Sequence, residues 1–138
     1  MTAKEYLQQY KRLDTTINAK IEQKKRLLSR VQYASPKGGS LKDGQPYDKV
    51  GSLTEKILTL EAEINADIDQ LVDLQREIKK RIAELPDPIH RGILEKRYIN
   101  CWSIKKIAVQ QNCSVEIVYK EQREALESFT DLYSFSVV

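Results

Sequence analysis

The sequence predicts an all-α protein. A long antiparallel helical hairpin, coiled-coil-like, is expected over residues 1–85, followed by a three-helix helix-turn-helix module over 86–133 and a tail at 134–138. Three observations lead there. Apolar residues recur every three or four positions from Leu53 to Leu85, the spacing of one face of a helix. The helix breakers are few, 5 Gly and 4 Pro, and most cluster between Pro36 and Gly51, so long stretches are free to run as helix. Two short amphipathic patterns meet at Gln111-Asn112-Cys113, where the residue types suit a tight turn.

Taken in order, Thr2 is suited to cap a first helix, with Glu5 three residues on as in a capping box. Tyr6, Leu7, Tyr10, Leu13, Ile17, Ile21, Leu27, Leu28 and Val31 then follow at helical spacing. Lys20 and Lys24 fall near that stripe, and their stems can lie along apolar surface while the ammonium groups reach water. With Lys25, Arg26 and Arg30 they form a basic strip. One reading of the strip is the solvated face of a long helix; the other is an auxiliary contact to nucleic acid or to an acidic partner helix.

Residues 34–51 read as a mobile loop, because Pro36, Gly38, Gly39, Gly44 and Pro46 each disturb a helix interior. Ser52 is the expected cap of a second helix, with Glu55 three residues on. Its stripe comprises Leu53, Ile57, Leu60, Ile64, Ile68, Leu71, Leu74, Ile78, Ile82 and Leu85. At ~1.5 Å per residue this helix runs roughly 50 Å. A stripe that long must be buried, against the first helix or by self-association of chains, and the two are compatible. A homo-oligomer formed through the N-terminal helices is therefore expected.

Leu85-Pro86-Asp87-Pro88 ends the hairpin. Asp87 can cap and Pro88 suits the first helical position of a third helix carrying Ile89, Ile93, Leu94, Arg97 and Tyr98. Asn100 and Cys101 turn the chain. Trp102, Ile104, Ile107 and Ala108 then recur at helical spacing, with Ala108 small enough to admit a close helix neighbour and Trp102 expected in the core. Asn112 tolerates the left-handed conformation the turn needs. Ser114 caps the last helix, whose inner face is Val118, Gln122, Ala125 and Phe129. The aromatic and apolar tail beyond Phe129 either docks or frays.

In such an arrangement the second helix of the motif lies in the DNA major groove. Its outward residues, Val115, Glu116, Tyr119, Lys120 and Arg123, are the candidate readers, with Ser114 at the head of the helix. Arg123 and Lys120 suit guanine edges or phosphates, Glu116 a cytosine amine and Val115 a thymine methyl. Lys105 and Lys106, at the start of the preceding helix, are placed to hold phosphate.

Leu94, Arg97-Tyr98, Trp102, Ile107-Ala108, Ser114, Val118-Tyr119 and Ala125-Leu126 resemble the C-terminal half of the phage-encoded, sigma-factor-region-four-like regulators of Gram-positive hosts, the ArpU/RinA-type late-transcription regulators and their relatives. The opening Met1-Thr2-Ala3-Lys4-Glu5-Tyr6, the Gly/Pro/Lys loop and the Leu/Ile-rich helix resemble them too, so the likeness covers nearly the whole chain. It implies a non-enzymatic phage or prophage transcriptional regulator that binds double-stranded promoter DNA, with RNA polymerase as a further partner and the hairpin serving oligomerisation or contact with the transcription machinery. It also implies that Arg97, of the Arg97-Tyr98 pair, is partly structural.

Charge complicates that expectation. Residues 1–50 hold 11 Lys/Arg against 5 Asp/Glu, residues 51–85 hold 5 against 8, and residues 86–138 hold 7 against 7. The expected reading module is thus neutral, and Glu116, Glu121, Glu124 and Glu127 share a helix with Lys120 and Arg123. Duplex affinity draws largely on cations, so a lone module should bind weakly. Dimerisation, the basic first helix, or an acidic face that contacts protein would each answer this. The alternative function is a non-enzymatic interaction or inhibitor protein that binds a host protein through the hairpin.

Catalytic and cofactor chemistry find no foothold. The chain has one His, no Gly-rich phosphate loop and no nucleophile elbow, so no enzyme activity and no cofactor are expected. Cys101 and Cys113 with His90 lack the paired spacing of a zinc site, so no metal is expected and the cysteines read as buried reduced thiols. Asp67, Asp69 and Asp73 read as ordinary surface carboxylates. No run of about 18 apolar residues suggests a membrane span, and the charged N-terminus is unlike a secretory signal. The expected location is the host cell cytoplasm.

Overall fold

Thr2 opens the first helix: its Oγ1 accepts the Glu5 N–H at 3.2 Å. The computed structural model describes residues 1–34 and 45–137. Over them the chain is all-α, with helices α1 (Ala3–Ala34), α2 (Gln45–Ala83), α3 (Pro88–Leu94), α4 (Ile104–Gln111) and α5 (Val115–Tyr133). A π-helical turn, Glu95–Ile99, continues α3. Expectations for residues 35–44 fall outside the described residues. Residues 45–51, expected as loop, are instead the start of α2, so Ser52 lies inside the helix and does not cap it. Pro46 falls in the first turn, where no intrahelical N–H is lost, and Gly51 only weakens a helix interior by about 1 kcal/mol.

The chain divides into two compact units, one made of residues 1–13 with 71–138 and the other of 14–70. In the second, Ile17 and Leu27 of α1 and Leu53, Ile57, Leu60 and Ile64 of α2 are buried. The α2 series steps by four and three, as in a heptad seam, and the next step after Ile64 falls on Asp67 rather than Ile68. Ile68, expected on the inner stripe, is accordingly exposed. Lys20 meets Asp67 at 2.6 Å and Glu63 at 3.6 Å, and Lys24 meets Glu61 at 3.0 Å. The partners descend along α2 as the lysines ascend α1, so the pairing is antiparallel. The two ammonium groups reach carboxylates of the facing helix rather than only water, as their place near the stripe had suggested. The hydrogen bond to Asp67 comes first among the causes that raise the Lys20 pKa above its ordinary value.

The first unit gathers Ala3, Tyr6 and Leu7 of α1, Ile78, Ile82 and Leu85 from the end of α2, and the apolar faces of α3, α4 and α5 into one core. Phe129 is fully buried at its centre, within 6.0 Å of Tyr6, 4.9 Å of Tyr133 and 5.6 Å of Phe135, ring centre to ring centre. Arg81 lies over the rings of Tyr6 and Tyr133, at 4.9 and 5.1 Å, and pairs with Glu77 at 3.4 Å. The Tyr6 hydroxyl donates to the same Glu77 at 2.9 Å. The tail docks: Ser134 turns in the left-handed region, Phe135 returns to the core, and the Ser136 N–H donates to the Met1 carbonyl at 3.2 Å.

Asp87 and Pro88 act as their residue types predict. Asp87 Oδ1 accepts the Ile89 N–H at 2.8 Å and Pro88 occupies the first helical turn. Arg91 reaches back to the Leu85 and Pro86 carbonyls at 2.6 and 3.2 Å, satisfying acceptors at the α2–α3 corner. The π-helical turn is marked by the Asn100 N–H bonding to the Glu95 carbonyl at 2.9 Å. Its wider winding lets Tyr98 and Ile99, adjacent in sequence, both face inward. Cys101 then takes a left-handed conformation at φ 57°, and Arg97 Nη1 donates across the turn to the Trp102 carbonyl at 2.9 Å. Arg97 thus has a structural role, as the resemblance implied. Ile89, on the same helix α3, is exposed.

Candidate nucleic-acid interface

The helix-turn-helix is assembled by short-range chemistry. Ser103 caps α4 by accepting the Lys106 N–H at 3.1 Å, and Ile104, Ile107 and Ala108 turn into the core. Asn112 sits in the left-handed region (φ 54°, ψ 46°), its N–H bonding the last carbonyls of α4, and the Cys113 N–H reaches the Ala108 carbonyl at 3.1 Å. Ser114 accepts the Ile117 N–H at 3.3 Å and so starts α5. Its hydroxyl serves the helix it caps. Val118, Ala125 and Phe129 are fully buried, with Gln122 half-buried between them.

That burial fixes which way the rest of α5 faces. Val115, Glu116, Tyr119, Lys120 and Arg123 are all exposed, as expected for candidate readers, and Tyr119 keeps 53% of its surface. Ile117, not anticipated among them, is exposed as well. Arg123 has no ion-pair partner among the described residues, whereas Lys120 lies 4.0 Å from Glu124. Glu124 also stands 3.9 Å from His90 Nε2, which is 3.6 Å from Asp87. His90 Nδ1 lies 3.4 Å from Ser128 Oγ. His90 thus links α3 to α5, a placement its position in sequence gave no sign of.

On α4, Lys105 and Lys106 are exposed. The Lys106 ammonium lies 4.3 Å above the Trp102 ring, and Trp102 is half-buried rather than in the core. It precedes the Ser103 cap, where the chain enters the helix from the surface. Cys101 and Cys113 are half-buried, not fully buried as expected. Among the described residues no cluster of three or more His, Cys, Asp or Glu is placed to hold a metal ion. Of the basic strip, Lys25, Arg26 and Arg30 are exposed on α1, while Lys20 and Lys24 are committed to the carboxylates of α2. The strip is therefore shorter than its sequence suggests. No described helix is long and apolar enough to cross a membrane.

The family described as "Protein of unknown function (DUF1492)" matches residues 27–130, which is 104 of the 138 residues and includes α4, the turn and all but the last three residues of α5. The chain belongs to the DUF1492 family. No curated protein and no solved structure matches it. The DUF1492 match takes in the distal part of α1, all of α2 and the module through Thr130, so the outward face of α5 lies within the family's own span.

Proposed function

We propose that this DUF1492 chain is a transcriptional regulator of phage or prophage origin that binds promoter duplex DNA through α5. The observation that carries the reading is the disposition of α5: Val115, Glu116, Tyr119, Lys120 and Arg123 stand exposed on a helix whose opposite face is buried. A helix held so firmly from behind presents its front to a major groove with little ordering left to do. Arg123, without an ion pair among the described residues, is the reader for a guanine or a phosphate. Lys120 stands one turn before it, Glu116 suits a cytosine amine and Val115 a thymine methyl.

The test is duplex binding by fluorescence anisotropy, with fragments of the encoding genome as targets and salt varied. Binding should weaken with salt along a shallow slope, because few phosphates are met. Arg123→Ala should cost about 1–3 kcal/mol and relax the preference at one base position. No affinity for any duplex at low salt would sink the reading. The acids of α5 limit affinity for a single module, and pairing of two chains offsets this by avidity. Leu28, Leu58 and Ile68, exposed in the unit of residues 14–70, favour protein contact there, with a second copy or with the transcription machinery. The same exposed residues favour the second reading, an inhibitor that holds a host protein through its long helices. Capture of such a protein with no duplex affinity would decide for it.

A further inference from the structure

The outward face of α4 carries an apolar feature beside Lys105 and Lys106, the two lysines also placed to hold phosphate. Trp102, Ser103, Lys105, Lys106, Val109 and Gln110 line a groove of about 540 Å³ whose lining is almost wholly apolar. Val109 is 73% exposed, although the same helix fills the core with Ile104, Ile107 and Ala108. A β-branched residue standing in water contributes nothing to helix propensity or to packing. Beside it the half-buried indole of Trp102 offers a flat apolar surface, with the Lys106 ammonium 4.3 Å above the ring. Lys105 stands next to it on the rim, and none of the lining residues is acidic.

Two positive charges around an apolar floor select a particular kind of occupant. A sugar-phosphate strand would engage the ammonium groups and leave the indole and the isopropyl group wet. A peptide that alternates carboxylates with apolar side chains engages both, the acids at the rim and an apolar side chain on the floor. We propose that this face binds an acidic, apolar-studded peptide segment of a partner protein. Trp102 and Val109 receive its apolar side chain, and Lys105 and Lys106 its carboxylates. Tryptophan is among the residue types that most often anchor an interface. The site is on a different helix from the proposed base readers, and the duplex probe distinguishes it from the phosphate contact for which Lys105 and Lys106 are also suited.

Trp102 is the only tryptophan in the chain, so its emission reports the groove directly. The experiment titrates the full chain with three synthetic peptides: one alternating Glu and Leu, one with Lys in place of Glu, and one with Ser in place of Leu. A duplex oligonucleotide is the fourth probe. The Glu/Leu peptide alone should shift the emission saturably. Val109→Asp and the double variant Lys105→Glu/Lys106→Glu should each weaken it by about tenfold or more, with melting curves unchanged because these side chains are exposed. The proposal is overturned if the Glu/Leu peptide leaves the emission unmoved, or if it binds the Val109→Asp variant as well as the parent. It is equally overturned if the duplex moves Trp102 and Val109→Asp weakens duplex binding, since the face then belongs to DNA.

Discussion

Ala108, Asn112 and Ser114 set the turn between α4 and α5, and each acts through its immediate chain neighbours or its own size. Ala108 is buried where α4 faces the core, so Ala108→Leu should overpack the contact and destabilise the module by about 1–3 kcal/mol in chemical denaturation. An unchanged midpoint would mean the contact has room to spare. Tyr133 depends on distant partners instead. Its hydroxyl lies 2.5 Å from Glu84 Oε2 and 2.8 Å from the Arg81 carbonyl. Desolvation first, and then the hydrogen bond to Glu84, push its pKa from 10.0 up to about 12. Tyr6 is raised in the same sense by burial and by its bond to Glu77. A folded-state pKa raised above the unfolded value gives stability that is complete below pH 10 and is lost as pH rises through about 12. Denaturation midpoints should therefore fall across that interval, and fall less in Tyr133→Phe than in the parent. The residues legible from sequence are those whose role is local: a cap, a left-handed turn, a small side chain on a stripe. Less legible is which carboxylate Lys20 meets, since Asp67 lies 47 residues on, along the facing helix.

At the scale of elements, periodicity identified every helix, and it erred where the period itself shifts. A stripe drawn by eye takes Ile68, but the alternation of four and three puts Asp67 in the seam. The early start of α2 was hidden by Pro46 and Gly51, which read as breakers when their position in the helix is ignored. The π-helical turn after α3 leaves no mark in residue type, since it serves to turn two neighbouring side chains the same way. The pairing of Lys20 with Asp67 invites a direct test. A partly buried ion pair is costly to break and often no better than apolar residues in its place. Asp67→Ala should lower the melting temperature, whereas Lys20→Leu combined with Asp67→Leu should match or exceed the parent. If both variants fall alike, the pair contributes more than any apolar substitute could.

For the molecule as a whole, the Pro86–Pro88 corner suggests a place to cut, and the packing says otherwise. Residues 1–13 and 71–85 share one compact unit with the module, and Tyr6, Leu7, Ile78, Ile82 and Leu85 are part of its core. A fragment of residues 86–138 should accordingly show no cooperative thermal transition by circular dichroism, while a chain in which residues 1–13 are linked to 71–138 regains one. A sharp melt of the short fragment would show that the module needs none of those residues. Fold class was legible because it follows from patterns within each helix. The partition into units was not, because it depends on which faces meet across nearly the full length of the chain.

The ring of Phe135 closing on that of Tyr6 at 5.1 Å has a consequence for synthesis. A ribosome delivers Tyr6 long before Phe135, so the first aromatic must wait, uncovered, while everything between them is translated. A message cut short before the Phe135 codon would then release a polypeptide whose first unit cannot close properly, and such a product should be cleared by proteases faster than one that carries Phe135.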